Sequence, residues 1–265
     1  MCKECGCGLG GGEVKIGTHS SAQEHQHDHD HGHEHHGHDH PHEHGHQTLT
    51  LNRSLMEKND RLAERNRGFF QAKKLLVLNV VSSPGSGKTT FIRETAARLG
   101  KKLRVGVIVG DLATDNDAAQ LRTAGIPVVQ ITTGTVCHLD AEMVAKAAAQ
   151  LELDKLEVLV IENVGNLVCP ADYDLGEELR VVLLSTTEGE DKPLKYPPMF
   201  HSANIAVVTK SDLAAPAGFN REAALANLHR VSHHAQVFEL SAKTGEGMEP
   251  WLEFLVAQRS KAGGA

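Results

Sequence analysis

The chain has 265 residues, 40% of them hydrophobic, and a formal charge of -7, enough for one α/β domain with a real core plus an appendage. No basic face suggests a nucleic-acid partner, no apolar run approaches a membrane span, and five cysteines are too few for a disulfide scaffold. With no apolar leader at the start, the expectation is a cytoplasmic protein whose clustered cysteines hold metal.

The first residues read MCKECGCG. Cys2, Cys5 and Cys7 can wrap one soft or borderline ion, and loss of Met1 would free an α-amino group as a fourth ligand. That donor set suits square-planar Ni²⁺ and also tetrahedral Zn²⁺. Thirteen of the 18 histidines then fall between His19 and His46, among acids and glycines. Residues 1–46 hold two lysines against eight acids, and so nearly all of the net charge of -7. With few apolar groups to offset chain entropy, residues 1–47 read as a disordered tail. Its imidazoles (His25, His27, His29, His31, His33, His35, His36, His38, His40, His42, His44 and His46) suit several weakly held Ni²⁺ or Zn²⁺ ions, released as they protonate. A helix is expected over 52–67, capped by Asn52, with Leu55 and Leu62 on one side and Gly68 as its stop. The main domain is expected to span 48–265.

Leu75–Thr90 reads LLVLNVVSSPGSGKTT: a buried strand, a Gly-containing loop, then a helix with Phe91, Ile92, Ala96 and Leu99 on its apolar face. This is the pattern of a phosphate-binding loop. Backbone N–H groups across Ser83, Gly85, Ser86, Gly87, Thr89 and Thr90 give a positive cradle for nucleotide phosphates. Lys88 can reach the β- and γ-phosphates and Thr89 can ligate Mg²⁺. Ser82 stands where the motif's first glycine is expected.

Arg104–Gly110 reads as a second buried strand, ending at Asp111, which faces the ligand crevice of an open sheet and is placed to assist Mg²⁺ or the attacking water. A helix over 114–124 and a short strand over 128–131 follow. Cys137 and His138 precede an alanine-rich helix that begins at Asp140. Alone, that pair reads as a buried cysteine beside a helix-start histidine. The next strand changes the reading. It ends at Glu162, where a nucleotide hydrolase carries its Mg²⁺-sensing acid, and Gly165 stands where a glycine follows the γ-phosphate. Cys169 lies four residues further on, so Cys137, His138 and Cys169 form a second thiolate–imidazole set on two loops of one crevice.

Strands are expected at 181–184, 204–208 and 237–240, with a polar loop over 186–196 and a closing helix around Trp251–Gln258. Thr209-Lys210-Ser211-Asp212 follows the second of these and resembles the guanine-reading N-K-x-D, with Thr in the first place. A carboxylate at Asp212 can accept both N1–H and N2–H₂ of guanine, and the Lys210 stem can lie along the base. Ser241-Ala242-Lys243 matches the small loop that supports the base.

Taken together, MCKECGC, SSPGSGKT, GDLATDNDA, TGTVCHLDA, IENVGNLVCP, TKSDL and SAKTGEGM resemble the HypB family, the nickel-incorporation GTPases of NiFe-hydrogenase maturation. The resemblance implies a phosphate-loop NTPase of the signal-recognition and MinD-like class, a mostly parallel sheet with helices on both faces. It also implies a slow GTPase and nickel metallochaperone that dimerises on GTP or metal binding. Such a protein works with a HypA-type nickel chaperone to supply a hydrogenase large-subunit precursor. A plain nickel store needs no guanine-reading Asp212. A urease-type nickel GTPase is expected to carry Cys-Pro-His rather than Cys137-His138.

Overall fold

The computed structural model describes residues 14–17, 44–100 and 102–263. Cys2, Cys5, Cys7 and the histidines from His25 to His42 lie outside the described residues. In chain order the elements are β1 (Lys15–Gly17), α1 (His44–Ala72), β2 (Leu76–Val81), α2 (Lys88–Leu99), β3 (Val105–Asp111), α3 (Asn116–Thr123), β4 (Val128–Thr132) and α4 (Ala141–Ala148). They continue with β5 (Val158–Glu162), β6 (Leu179–Ser185), α5 (Lys192–Lys195), α6 (Pro197–His201), β7 (Ile205–Thr209), α7 (Arg221–Val231), β8 (Gln236–Glu239) and α8 (Met248–Gly263).

The strands form one sheet in the order β1-β4-β3-β5-β2-β6-β7-β8, parallel except where β1 runs against β4. Helices cover both faces, as the sequence predicts. On one face α2, α3 and α8 pack through Phe91, Ile92, Leu121 and Trp251. Trp251 also donates from Nε1 to Thr95 Oγ1 (3.0 Å), which joins α8 to α2. On the other face, α1 and α4 cover the β3–β5 half and α6 and α7 cover the β6–β7 half. Central strands buried on both faces need near-continuous apolar runs, and LVLNVV and VLVIE supply them.

Several boundaries differ from expectation. Within the segment read as disordered, Lys15–Gly17 pairs with β4, where Val14 and Ile16 pack against the core. Helix α1 begins at His44, so Asn52 lies inside it instead of capping it, and His44 and His46 fall in its first turn. Nor does Gly68 stop the helix. Burying Phe70 outweighs the roughly 1 kcal/mol cost of a helical glycine. The end comes at Lys74, which adopts a left-handed φ of 54°, while Leu75 N–H reaches back to Phe70 O (3.0 Å). The buried stripe of α1 is Asn59, Ala63, Asn66 and Phe70, whereas Leu55 is 59% exposed. Two short helices, α5 and α6, occupy or follow the expected loop, which opens with a capping box between Ser185 and Glu188. Helix α7 had no counterpart in the sequence reading. No described helix is long and apolar enough to cross a membrane.

Gly176 sits where α1 meets the chain between β5 and β6. Its φ is 88°, and a Cβ there would lie 2.6 Å from Ala63 O. Gly176→Ala is therefore expected to lower unfolding free energy by about 2–4 kcal/mol in urea titration. Gly218→Ala, at φ 64° but with open space around it, should cost only about 1–2 kcal/mol.

Candidate functional site

Three adjacent parallel strands, β3, β5 and β2, end at the same edge of the sheet, and their outgoing loops converge there. After β2 the chain turns through Gly85 (φ 75°) and Gly87 (φ 94°), conformations that side chains resist. Ser82, the departure from the motif, is buried beneath this loop. Its Oγ donates to Ser83 O (2.8 Å) and accepts from Ser86 Oγ (2.5 Å), so the extra side chain serves the loop and leaves the crevice clear. Lys192, not foreseen from sequence, donates to Ser83 Oγ at 3.4 Å.

Lys88 opens α2, followed by Thr89 and Thr90. The β2–β5 register sets Val80 against Glu162, and Asn163 N–H donates to Val80 O (3.0 Å). This brings Glu162 beside α2, where Thr89 Oγ1 donates to Glu162 Oε1 (2.7 Å). Glu162 is only 1% exposed. Burial raises its pKa to about 7, opposed by the Lys88 charge and the Thr89 hydrogen bond. Burial likewise lowers Lys88, and Glu162 is the main charge opposing that shift. Glu162 Oε2 is buried with no hydrogen-bond partner among the described residues. A hydroxyl beside a carboxylate with an unsatisfied oxygen fits a hard cation such as Mg²⁺. Asp111, at the end of β3, accepts at Oδ1 from Ala113 N–H (3.0 Å) and Thr114 N–H (2.9 Å), which shapes the turn leaving its strand. Gly165 lies against Pro84: a Cβ would be 3.1 Å from Pro84 Cα, so the two loops abut.

At the other end of the phosphate loop, Thr209 Oγ1 donates to Ser86 O (3.1 Å). Threonine in this place thus ties β7 to the loop. Lys210, at φ 59°, donates from Nζ to Gly85 O (2.7 Å). Asp212 is half-buried on a 3-10 turn at Ser211–Leu213. The neighbouring loop places Ser241 in the interior, Ala242 at its margin and Lys243 on the surface. The Ser241 N–H is committed to Glu246 O at 2.9 Å.

The sulfur and imidazole groups also meet. Donor atoms of Cys137, His138 and Cys169 all lie within 4.8 Å of one another. The two Sγ atoms are 2.8 Å apart, inside van der Waals contact, so the loops bring both sulfurs to one spot. His138 is buried, and its Nδ1 has no hydrogen-bond partner among the described residues. Burial lowers its pKa, against Asp140 and Asp172, and so favours the neutral, ligand-competent ring. Tyr173 stacks on that ring at 3.8 Å between centroids. Two sulfurs and a neutral imidazole fit a borderline ion such as Ni²⁺ or Zn²⁺. Asp140, expected to begin the next helix, caps it instead, accepting from Met143 N–H (2.7 Å).

A family model for the CobW/HypB/UreG nucleotide-binding domain matches residues 76–239. The hydrogenase maturation factor HypB of Escherichia coli strain K12 is 53% identical over 205 residues, covering 77% of this chain and 71% of that protein. The chain belongs to the HypB family. Among solved structures, HypB from Helicobacter pylori in complex with nickel superposes with a TM-score of 0.74 at 40% identity, covering 77% of this chain and 96% of that one. HypB from Archaeoglobus fulgidus gives a TM-score of 0.72 at 38% identity over 77% of this chain and 99% of that one. The HypB-type sheet and its nucleotide-binding domain therefore account for most of the described chain.

The sulfur geometry leads to a simple expectation. In the full chain carrying Cys2→Ser, Cys5→Ser and Cys7→Ser, mild oxidation should join Cys137 to Cys169, read by mass spectrometry as the loss of two hydrogens. Prior addition of Zn²⁺ should slow the reaction, and Cys169→Ser should abolish it.

Proposed function

We propose that this HypB-family chain is a slow GTPase and nickel metallochaperone that supports nickel insertion into a hydrogenase large-subunit precursor. The observation that carries the reading is the meeting of Cys137 and His138, from the loop after β4, with Cys169, from the loop that leaves Glu162 and abuts the phosphate loop at Pro84. Nickel in the Helicobacter pylori relative supports the choice of cargo, although the same donors also accept Zn²⁺.

In this reading the backbone from Ser83 to Thr90 cradles the phosphates, and Lys88 neutralises charge on the β- and γ-phosphates. Thr89, Asp111 and Glu162 hold Mg²⁺, which supplies charge stabilisation to the transferring phosphoryl group. Asp212 reads guanine, Lys210 packs its stem along the base, and the Ala242 and Lys243 N–H groups back it. Water attacks the γ-phosphorus and the bond to the β-phosphate oxygen breaks. Asn166 stands where Ras-like enzymes carry a water-orienting glutamine, so unassisted turnover is slow. Cys169 lies four residues past Gly165, a span of at most about 14 Å, so rearrangement at Gly165 shifts a metal ligand. Nucleotide state then sets metal affinity, and by linkage metal alters nucleotide affinity or dimerisation. Within residues 1–47, which also supply the Lys15–Gly17 strand to the sheet, the cysteines are a tight metal site and the histidines a store. A HypA-type partner exchanges nickel with this chain in the cytoplasm.

Two measurements test the reading. Lys88→Ala should abolish GTP hydrolysis while leaving Ni²⁺ binding at Cys2, Cys5 and Cys7 intact by isothermal titration. Loss of that tight site would show the tail to be coupled to the domain. Asp212→Asn should cut the preference for GTP over ATP at least about tenfold in competitive nucleotide binding, because guanine then loses a charged acceptor. An unchanged preference would remove Asp212 from base recognition.

A further inference from the structure

A buried polar network runs behind the two candidate sites. Asn79, in the central strand, is fully buried, and Asn163, Glu177 and Arg180 are nearly so. They lie on the face of the sheet between the α1–α4 and α6–α7 cores, where an apolar filling would be the simple solution. A buried ion pair is a weak source of stability because both charges must be desolvated, so its positioning of other groups is the more informative property.

Each link is a hydrogen bond. Arg180 donates from Nε to Glu177 Oε1 (3.0 Å), from Nη1 to Ala171 O (3.1 Å) and from Nη2 to Tyr173 O (2.7 Å). It therefore grips the backbone just after Cys169, including the residue whose ring stacks on His138. Glu177 Oε1 also accepts from Asn79 Nδ2 (3.0 Å), and Asn79 Oδ1 accepts from Asn163 Nδ2 (3.3 Å). Asn163 Oδ1 in turn accepts from Leu139 N–H (3.3 Å), next to His138, and from Val164 N–H (2.9 Å). Asn163 directly follows Glu162, which Thr89 contacts. The path is continuous from the oxygen-donor site to both halves of the sulfur–imidazole site.

We propose that Asn79 and Asn163 are positioning residues. They register the Cys169–Tyr173 segment and the His138 backbone against Glu162, so that displacement at the nucleotide end changes the separation of the metal donors. A conformational change is transmitted when one element has two arrangements and both sites bias it. Buried, fully partnered amides can supply such an element, because slipping one bond leaves a polar atom unsatisfied. This inference rests on the reading above that nucleotide state bears on the metal site.

The test uses the full chain carrying Cys2→Ser, Cys5→Ser and Cys7→Ser, so that Ni²⁺–thiolate absorption reports only Cys137 and Cys169. Ni²⁺ is titrated with GDP and with a non-hydrolysable GTP analogue bound, and the ratio of apparent affinities is taken. That ratio should depart from one at least about fivefold, the lower end of ordinary couplings. Asn79→Val should bring it within about twofold of one and remove the nucleotide-dependent change in the absorption band. GDP affinity should stay within about threefold, since Asn79 does not face the nucleotide. Asn163→Ala, which removes the same link from its other end, should reduce the ratio in the same way, and serves if Asn79→Val does not fold. A ratio of one in the parent chain overturns both the nucleotide linkage and the network's role. A parental ratio retained in folded Asn79→Val or Asn163→Ala overturns the network's role alone.

Discussion

The pairing of β5 with β2 is the constraint on which the rest of the site depends. Its register places Glu162 opposite Val80, the last residue but one of the strand that feeds the phosphate loop. From that single alignment follow the Thr89–Glu162 hydrogen bond, the contact of Gly165 with Pro84 and the entry of Asn163 into the interior. The alignment is strongly held because both strands are buried on both faces. A slip of one residue would turn Glu162 and Asn163 to opposite sides of the sheet. Distances across the crevice are thus set by a backbone ladder before any side chain is chosen.

With positions fixed, burial decides the electrostatics. Glu162 and Lys88 each have their charged form disfavoured by desolvation, and each is partly restored by the other. Neither is fully compensated, which leaves the carboxylate poised for a cation. The next loop offers a different chemistry. Two sulfurs and a neutral imidazole stand where the same strand edge could have carried more carboxylates. Hard oxygen donors favour Mg²⁺, whereas sulfur and imidazole favour later transition metals and zinc. Two cation sites can therefore lie on neighbouring loops without sharing their ions.

Much of this was legible in the sequence, and the exceptions have physical causes. The phosphate loop shows because its backbone demands Gly85 and Gly87 at positive φ, and the strands show because two-sided burial demands near-continuous apolar runs. The same rules hid other features. Asn59 and Asn66 look like surface residues of α1, yet they form its inner face together with Ala63 and Phe70. The segment GEELR has three charged residues in five, yet Glu177 and Arg180 are buried partners. Helix α7 has weak apolar periodicity and buries Ala224 and Leu228 as its main anchors, leaving little pattern to read. In each case the deciding factor was a tertiary partner more than 20 positions away or a burial that polarity concealed.

The asparagines of α1 tie down the loops that carry the candidate metal donors. Asn66 Nδ2 donates to Ala141 O (2.8 Å), just past Cys137 and His138, and to Leu175 O (3.1 Å), just past Cys169 and Tyr173. Asn59 repeats the arrangement, accepting from Ala141 N–H (3.0 Å) and donating to Asp174 O (2.8 Å). One helix face therefore clamps both ligand-bearing segments from behind, and Gly176 is kept free of a side chain so that the clamp can close. Each such bond contributes only about 1 kcal/mol net, but leaving its buried partner unsatisfied costs about 1–3 kcal/mol, so the segments resist moving apart. Because α1 also packs on α4 and runs into β2, the spacing of the metal donors is inherited from the core and not from the exposed loops themselves. Any displacement that changes the separation of the candidate donors must therefore work against these bonds, which limits how far it can go.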